Sequence, residues 1–321
     1  MSLPDGDWER RIGRFLRLRD LHVLSVVVQL GSMAKAASYL SVTQPAISQA
    51  IVDLEHAVGV RLLDRGPRGV QPTTYGEILL KRATEAFDAL QQGMRDIRYL
   101  QDPGLGEVRV GADMSFIAGG FLSSIIERVA TRHPRVTVHI VETTTARAAP
   151  EFRELRERNV DLMLGRLSGP LTAEDLEIEP IFDELIVIAA SAHSAWARRE
   201  RIDLAELANE RWILAPPNNT ARDLLEGAFR AQGLEPPEPR VTTYSMQLRL
   251  QLLATGRYLT VLTDATVRYS AERWSLKALP LKLGPRLPVV VVTLKNRSLT
   301  PSAQLFLEEV RAATKTGALA T

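Results

Sequence analysis

The chain of 321 residues contains no cysteine, which removes disulfide frameworks, thiol nucleophiles and cysteine-bound zinc at once. Histidine is scarce: His22, His56, His133, His139 and His193 are the full set, and none sits in the H-E-x-x-H spacing that holds zinc on one helix face. His139 reads as a core strand residue and His56 as helix surface. Nucleophile elbow and P-loop are both missing, and Gly104 and Gly106 precede a strand instead of following one, so the dinucleotide fingerprint fails. No metal, cofactor or catalytic group is expected. Long apolar runs are lacking too, since Val23 to Leu30 and Leu185 to Ala190 fall far short of the ~20 residues of a membrane span. Residues 1–17 are polar and arginine-rich, with neither the apolar centre nor the cleavage pattern of a secretory signal. A soluble cytoplasmic protein without membrane contact is the expectation. Neither sign of charge dominates, with 40 basic against 38 acidic residues, so any nucleic-acid footprint must be local.

What is present begins with length: a chain of this size is too long for one ordinary core, so two or more domains are expected. The informative stretch runs from Ser32 to Gly59 and predicts two short helices joined by a tight turn. Ser32 is placed to cap the first, whose inward face is Met33, Ala36, Ala37 and Leu40. Thr43 caps the second, and Pro45 stands in its first turn, where a missing N–H leaves nothing unsatisfied. At 3.6 residues per turn Ile47, Ile51, Leu54 and Val58 share one side, leaving Gln44, Pro45, Ser48, Gln49 and Val52 outward. Such a helix-turn-helix offers the N-terminal end of its second helix to a DNA major groove. The amides of Gln44 and Gln49 can pair with an adenine edge, Ser48 can bond a base or phosphate, and the helix start attracts phosphate. An ordinary pair of packed helices with a polar outer face has the same spacing.

The surrounding residues separate the two. Leu18 onward, SMAKAASYL, VTQPAISQAIVDLE and GVRLLDRGPRGVQPTTYGE together resemble the N-terminal domain of the LysR-type transcriptional regulators. The resemblance implies that Gln44, Pro45, Ser48 and Gln49 face DNA, with Ser32 and Thr43 as neighbours, and that Arg65 to Gly69 form a wing whose Arg65 and Arg68 reach phosphate or minor groove. Many relatives carry arginine at the position of Gln49, so a guanine contact there would give way to adenine or water-mediated readout. The first helix is expected over Leu18–Leu30, with Leu18, Leu21, Leu24 and Val28 inward, and Val60, Leu62 and Leu63 beneath the motif. Arg10, Arg11, Arg14 and Arg17 belong to an N-terminal arm that the resemblance does not cover.

From Thr74 to Gln101 one long helical pattern carries Leu79, Ala83, Ala86, Leu90, Ile97 and Leu100 at alternating three- and four-residue spacing. A stripe with no partner of its own predicts pairing with a second copy, and two heads on a dimer predict an inverted-repeat operator. Asp102 to Gly106 breaks the helix. Beyond it strands and helices alternate: strands over Val108–Gly111, Val136–Val141 and Val160–Leu164, with helices over Phe116–Thr131 and Ala148–Arg158, suggest a parallel α/β sheet, and a second unit starts at Leu185. The layout resembles the family's effector domain, two α/β lobes around a cleft, similar to periplasmic solute-binding proteins. The expected divisions are 1–17 arm, 18–75 winged helix-turn-helix, 76–103 linker helix and 104–321 effector domain, with lobe one at 104–184 and 286–321 and lobe two at 185–285.

Ligands of open α/β sheets bind beyond the carboxyl ends of strands, near helix N-termini. That rule selects Ser115, Phe116, Thr143, Thr144 and Arg166 in lobe one, and Asn218, Asn219, Thr220, Ser245, Met246 and Thr263 in lobe two. Each alone has the residue type of a helix cap, and their convergence is the argument. The set suits a small polar or aromatic carboxylate, although Asp113 repels an anion unless Arg166 or Arg147 pairs with it, leaving a neutral or cationic effector open. The function these readings support is a DNA-binding transcriptional regulator modulated by a small effector, acting as a homodimer or homotetramer with RNA polymerase as partner by analogy. The alternative is an enzyme or sensor with an accessory DNA-binding head.

Overall fold

A computed structural model describes residues 16–66, 69–102, 104–143, 152–167 and 173–315. The arm with Arg10, Arg11 and Arg14, and also Arg68, Thr144 and Arg147, lie outside the described residues. The chain divides into two compact units between Gly93 and Met94.

The first unit packs α1 (Leu18–Leu30), α2 (Met33–Tyr39) and α3 (Gln44–Val58) around Leu24, Val27, Ala36, Ile47, Ile51 and Leu54. Local chemistry sets the boundaries. The Ser32 hydroxyl accepts from Lys35 N, that of Thr43 accepts from Ala46 N, and Gly31 and Gly59 end α1 and α3 in the left-handed region that glycine enters freely. Leu18 is exposed, contrary to the sequence reading; Val23, Val26 and Val27 complete the inward face of α1 instead. Val60 is also exposed, while Leu62 and Leu63 are buried as expected. Two strands, β1 (Leu63–Gly66) and β2 (Gly69–Pro72), pair antiparallel, and Glu55 Oε1 fixes the approach to β1 by accepting from Leu62 N at 2.7 Å. Val70 N donates to Gly31 O at 3.0 Å, tying the hairpin to the end of α1.

The long helix α4 (Thr74–Gln101) spans the predicted range, but its stripe changes role along its length. Leu79, Leu80, Ala83 and Phe87 pack on the first unit's own core, which corrects the assignment of Leu79 and Ala83 to an interchain face. Ala86, Leu90, Met94, Ile97 and Leu100 are exposed.

The second unit holds two five-stranded sheets. One has the order β4-β3-β5-β12-β6, from β3 (Gly106–Asp113), β4 (Val136–Thr143), β5 (Leu162–Arg166), β6 (Leu176–Glu184) and β12 (Leu287–Leu294). The other has the order β11-β7-β10-β8-β9, from β7 (Ile186–Ser191), β8 (Trp212–Leu214), β9 (Pro239–Thr242), β10 (Leu259–Thr263) and β11 (Leu276–Ala278). Both are mixed, not parallel: β12 runs antiparallel to β5 and β6, and β7 runs antiparallel to β10 and β11. Strands β6 and β11 were not foreseen. Pro180 and alternating glutamates disguise β6, and both features are tolerated because it is an edge strand with a bulge opposite Val289 and Val290.

The predicted helix over Phe116–Thr131 is two, α5 (Met114–Ala118) and α6 (Phe121–Arg132), divided where Gly120 has φ 77° and Tyr269 packs too close for any Cβ. Of the helix predicted over Ala148–Arg158, the described residues contain only α7 (Arg153–Arg156). The remaining helices are α8 (Thr220–Ala231), α9 (Met246–Ala254), α10 (Asp264–Trp274) and α11 (Pro301–Lys315). Lobe one buries Val108, Val110, Ile125, Val289, Val291 and Phe306, and lobe two Ile188, Trp212, Leu225, Phe229 and Val261. On α11 burial pushes the Glu309 carboxyl upward, yet bonds from Arg132 and Arg128 prevail and hold it below the usual range. His139, read as core, is exposed on edge strand β4, with Nε2 3.5 Å from Glu107.

A Cβ at Gly76 would stand 2.2 Å from Leu62 O, a backbone atom that Thr73 N also uses. Gly76→Ala is expected to destabilise the first unit by about 1–3 kcal/mol, the usual range for overpacking, read as a lower urea midpoint.

Candidate functional sites in the helix-turn-helix and the interlobe cleft

In the first unit α3 presents Gln44, Pro45 and Gln49 fully exposed, with Ser48 half-buried beside them. Gln49 Nε2 donates one proton to Asp53 Oδ1 at 2.7 Å, which leaves its second amide proton as a donor and its carbonyl oxygen as an acceptor. Ser32 is a half-buried cap and Thr43 an exposed one, each with its hydroxyl oxygen already accepting a backbone N–H. Arg65 is exposed on β1. This is a ridge of hydrogen-bonding groups on a rigid helix start, and its chemistry suits a polar groove.

In the second unit the strand ends of both lobes converge on a cavity of about 90 Å³. Its lining includes Ser115, Thr143 and Arg166 from lobe one and Asn219, Thr220, Met246 and Thr263 from lobe two, seven of the eleven candidates. Phe116 lies behind it, 2% exposed, with its ring 4.1 Å beneath the Arg166 guanidinium. Asn218 and Ser245 are exposed and do not line the cavity, and the Ser245 hydroxyl accepts from Leu248 N as a cap. A second recess of about 270 Å³ lies across Ser115 and Arg166, lined by Phe121, Phe182 and Glu184 among others.

Most polar groups in the cleft already serve the protein. Arg166 Nε donates to Glu184 Oε2 at 2.7 Å, and Nη1 lies 3.3 Å from Asp113 Oδ2 and also donates to the Ser115 hydroxyl. Asp113 caps α5 by accepting from Ser115 N and Phe116 N, and takes the Ser115 hydroxyl proton as well. The repulsive carboxylate is therefore paired, as an anion-binding cleft requires. Glu184 was unforeseen as a second carboxylate partner of Arg166. Ser115, whose one proton goes to Asp113, is no free donor. Asn219 Oδ1 caps α8, and Thr263 Oγ1 caps α10 while bonded to Thr266 Oγ1.

Two polar lining residues escaped the sequence reading. Tyr244 is exposed at the rim, and Arg249 is 7% exposed on α9. Burial alone pushes the Arg249 guanidinium down to about 10. Its position could have been read: Met246, Arg249, Leu250 and Leu253 share one helical face, so an arginine in the phase of an apolar stripe is a buried charge. Among the described residues no group of three or more His, Asp and Glu side chains could hold a metal ion.

Residues 101–315 match the family model described as LysR substrate binding domain, and residues 18–77 match that of the bacterial regulatory helix-turn-helix protein, lysR family. The chain belongs to the LysR family of transcriptional regulators. Among curated LysR relatives, the HTH-type transcriptional regulator GbpR of Azospirillum brasilense is 28% identical over 304 residues, covering 94% of this chain and 87% of its own. Full-length CbnR, solved in complex with its target DNA, shares the fold at TM-score 0.63 and 23% identity, covering 92% of this chain and 99% of its own. A full-length OxyR variant from Pseudomonas aeruginosa matches at TM-score 0.63 and 21% identity, over 93% of this chain and 94% of its own. As a LysR regulator, the protein pairs a DNA-binding helix-turn-helix with an effector-binding domain. No single helix among its described residues is long and apolar enough to cross a membrane.

Arg166 is the cation between buried Asp113 and Glu184. Arg166→Met would take the buried guanidinium away from both carboxylates, with an expected loss of about 3–5 kcal/mol in urea unfolding followed by tryptophan fluorescence.

Proposed function

We propose that this LysR regulator reads double-stranded DNA with Gln44, Ser48 and Gln49 while Thr43 and Arg65 contact phosphate, and that a small effector held between the lobes of the second unit biases the assembly. One observation carries the DNA half: an exposed, capped helix start whose outward groups are amides and a hydroxyl over a fully apolar inner face. Pro45 shapes that start and offers apolar contact, and the Ser32 cap lies in the same motif. Arg68, between β1 and β2 in sequence, is proposed as a second phosphate contact of the wing. Gln49 gives one of its two amide protons to Asp53 and keeps its carbonyl oxygen and one N–H, the acceptor and donor that pair with an adenine edge.

The effector half rests on the convergence of seven candidates from two lobes on one cavity. Phe116 supports Arg166 from behind, Asn218 and Ser245 are proposed as second contacts reached only if the lobes move, and Thr144 is proposed as a further contact. The division at 18–75, 76–103 and 104–321, with lobes at 104–184 plus 286–321 and at 185–285, is part of this proposal. A second copy covers the exposed length of α4, at Ala86, Leu90 and Ile97, making a homodimer whose paired heads read an inverted repeat; a homotetramer and contact with RNA polymerase follow by analogy with the family. Switching needs no catalysis: an effector with higher affinity for one lobe arrangement shifts the population by that difference. The setting is cytoplasmic.

Gel shift against the chain's own upstream DNA tests the reading. Gln44→Ala and Gln49→Ala should each lose about 1–3 kcal/mol on the operator and little on scrambled duplex, whereas Arg65→Ala should weaken both alike and lower the salt slope by about one. Equal losses on both sequences for the glutamine variants would refute base reading. Leu90→Glu with Ile97→Glu should sediment as a monomer, and an unchanged oligomer would remove the proposed dimer face.

A further inference from the structure

One turn beyond Ser48 and Gln49, the outward face of α3 carries Val52, 47% exposed, and the exposed Asp53. At about 100° per residue Val52 falls between Ser48 and Gln49 on the helical wheel and in line with Pro45. The middle of the face is therefore apolar and its flanks are hydrogen-bonding. A β-branched side chain on a helix is held near one rotamer, so Val52 presents its two methyl groups in a fixed direction. Asp53 has the wrong charge for a surface that meets phosphate, because like charges repel at such distances. What it does is hold a neighbour: its Oδ1 accepts from Gln49 Nε2 at 2.7 Å, across one helical turn.

We infer that Asp53 positions Gln49 to read adenine against guanine, and that Val52 packs on the 5-methyl group of a thymine close by in the same stretch of duplex. The inference rests on α3 reading the major groove and names the bases it reads. An adenine edge offers N7 as acceptor and N6 as donor, whereas a guanine edge offers two acceptors, N7 and O6. A free glutamine amide suits both, since its two protons serve guanine and its carbonyl with one proton serves adenine. Once Asp53 takes the proton turned away from the carbonyl, what remains is one acceptor beside one donor, the complement of adenine. Against guanine the same carbonyl meets O6, acceptor to acceptor. The thymine contact follows from the apolar middle of the face, because the 5-methyl is the apolar group that a base edge shows in the major groove. The rise from Ser48 to Val52 is about 6 Å, roughly two base-pair steps of about 3.4 Å, which sets how far apart the two bases stand.

The test lets the full chain select duplexes from a randomised pool, after which each thymine of the selected duplex is replaced in turn by uracil, which lacks only the methyl group. Wild type should prefer adenine to guanine about tenfold or more at the position that Gln49→Ala makes indifferent. Uracil at a thymine within about two base pairs of it should weaken binding about three- to fivefold, the worth of one buried methyl group, and Val52→Ala should narrow that penalty to about twofold or less. Asp53→Ala should raise affinity for every duplex by removing a negative charge and cut the adenine preference to about threefold or less, while Asp53→Asn, which keeps an acceptor, should retain the preference. An adenine preference that survives intact in Asp53→Ala overturns the positioning role. Uracil tolerated at every thymine, or a penalty undiminished in Val52→Ala, overturns the methyl contact. If guanine is selected at the Gln49 position, base reading by α3 stands and this assignment falls. If the wild type selects no sequence at all, both fall together.

Discussion

Strand β12 is what the second unit depends on. Lobe one is incomplete until Leu287–Leu294 returns from lobe two and inserts between β5 and β6, antiparallel to both. Its four consecutive valines are buried, as a strand covered on both faces requires. Its register also sets the chemistry. Val289 pairs with Arg166 and Leu287 with Glu184, so one inserted strand brings an arginine and a glutamate 18 residues apart to hydrogen-bonding distance.

From that placement the cleft follows. Once Arg166 is anchored by Glu184, its free edge reaches Asp113, the cap of α5, so the short helix at the cleft wall is held electrostatically as well as by its own backbone. Phe116 beneath the guanidinium gives the cation a flat, buried aromatic seat. In lobe two the buried Arg249 rests on neutral acceptors, the Thr260 hydroxyl and the Val261 carbonyl.

The two units differ in how much their function asks of tertiary structure. In the first, the proposed reading groups lie on one helix start within six residues, Gln44 to Gln49, and the caps that define it are local. In the second, the cavity collects residues from Asp113 to Thr263, none nearer in sequence to its opposite wall than the chain's crossing between sheets allows. The long helix belongs to both descriptions: packed along Leu79, Ala83 and Phe87, exposed along Leu90, Ile97 and Leu100.

By itself the sequence determined whatever depends on neighbours within about a turn. Caps at Ser32 and Thr43, the ends of α1 and α4, the alternation of strand and helix, and seven strand-end positions that line the cavity were all legible, because period and capping are local physics. Tertiary structure alone decided that the sheets are mixed, that Pro180 could sit in an edge strand, that Gly119 and Gly120 split a helix against Tyr269, and that Leu79 and Ala83 face inward. It alone decided that the Ser115 hydroxyl proton goes to Asp113 and that, among the described residues, Arg249 is bonded to neutral oxygens. Those facts turn on which distant groups come within 3 Å of one another, and no spacing along the chain encodes that.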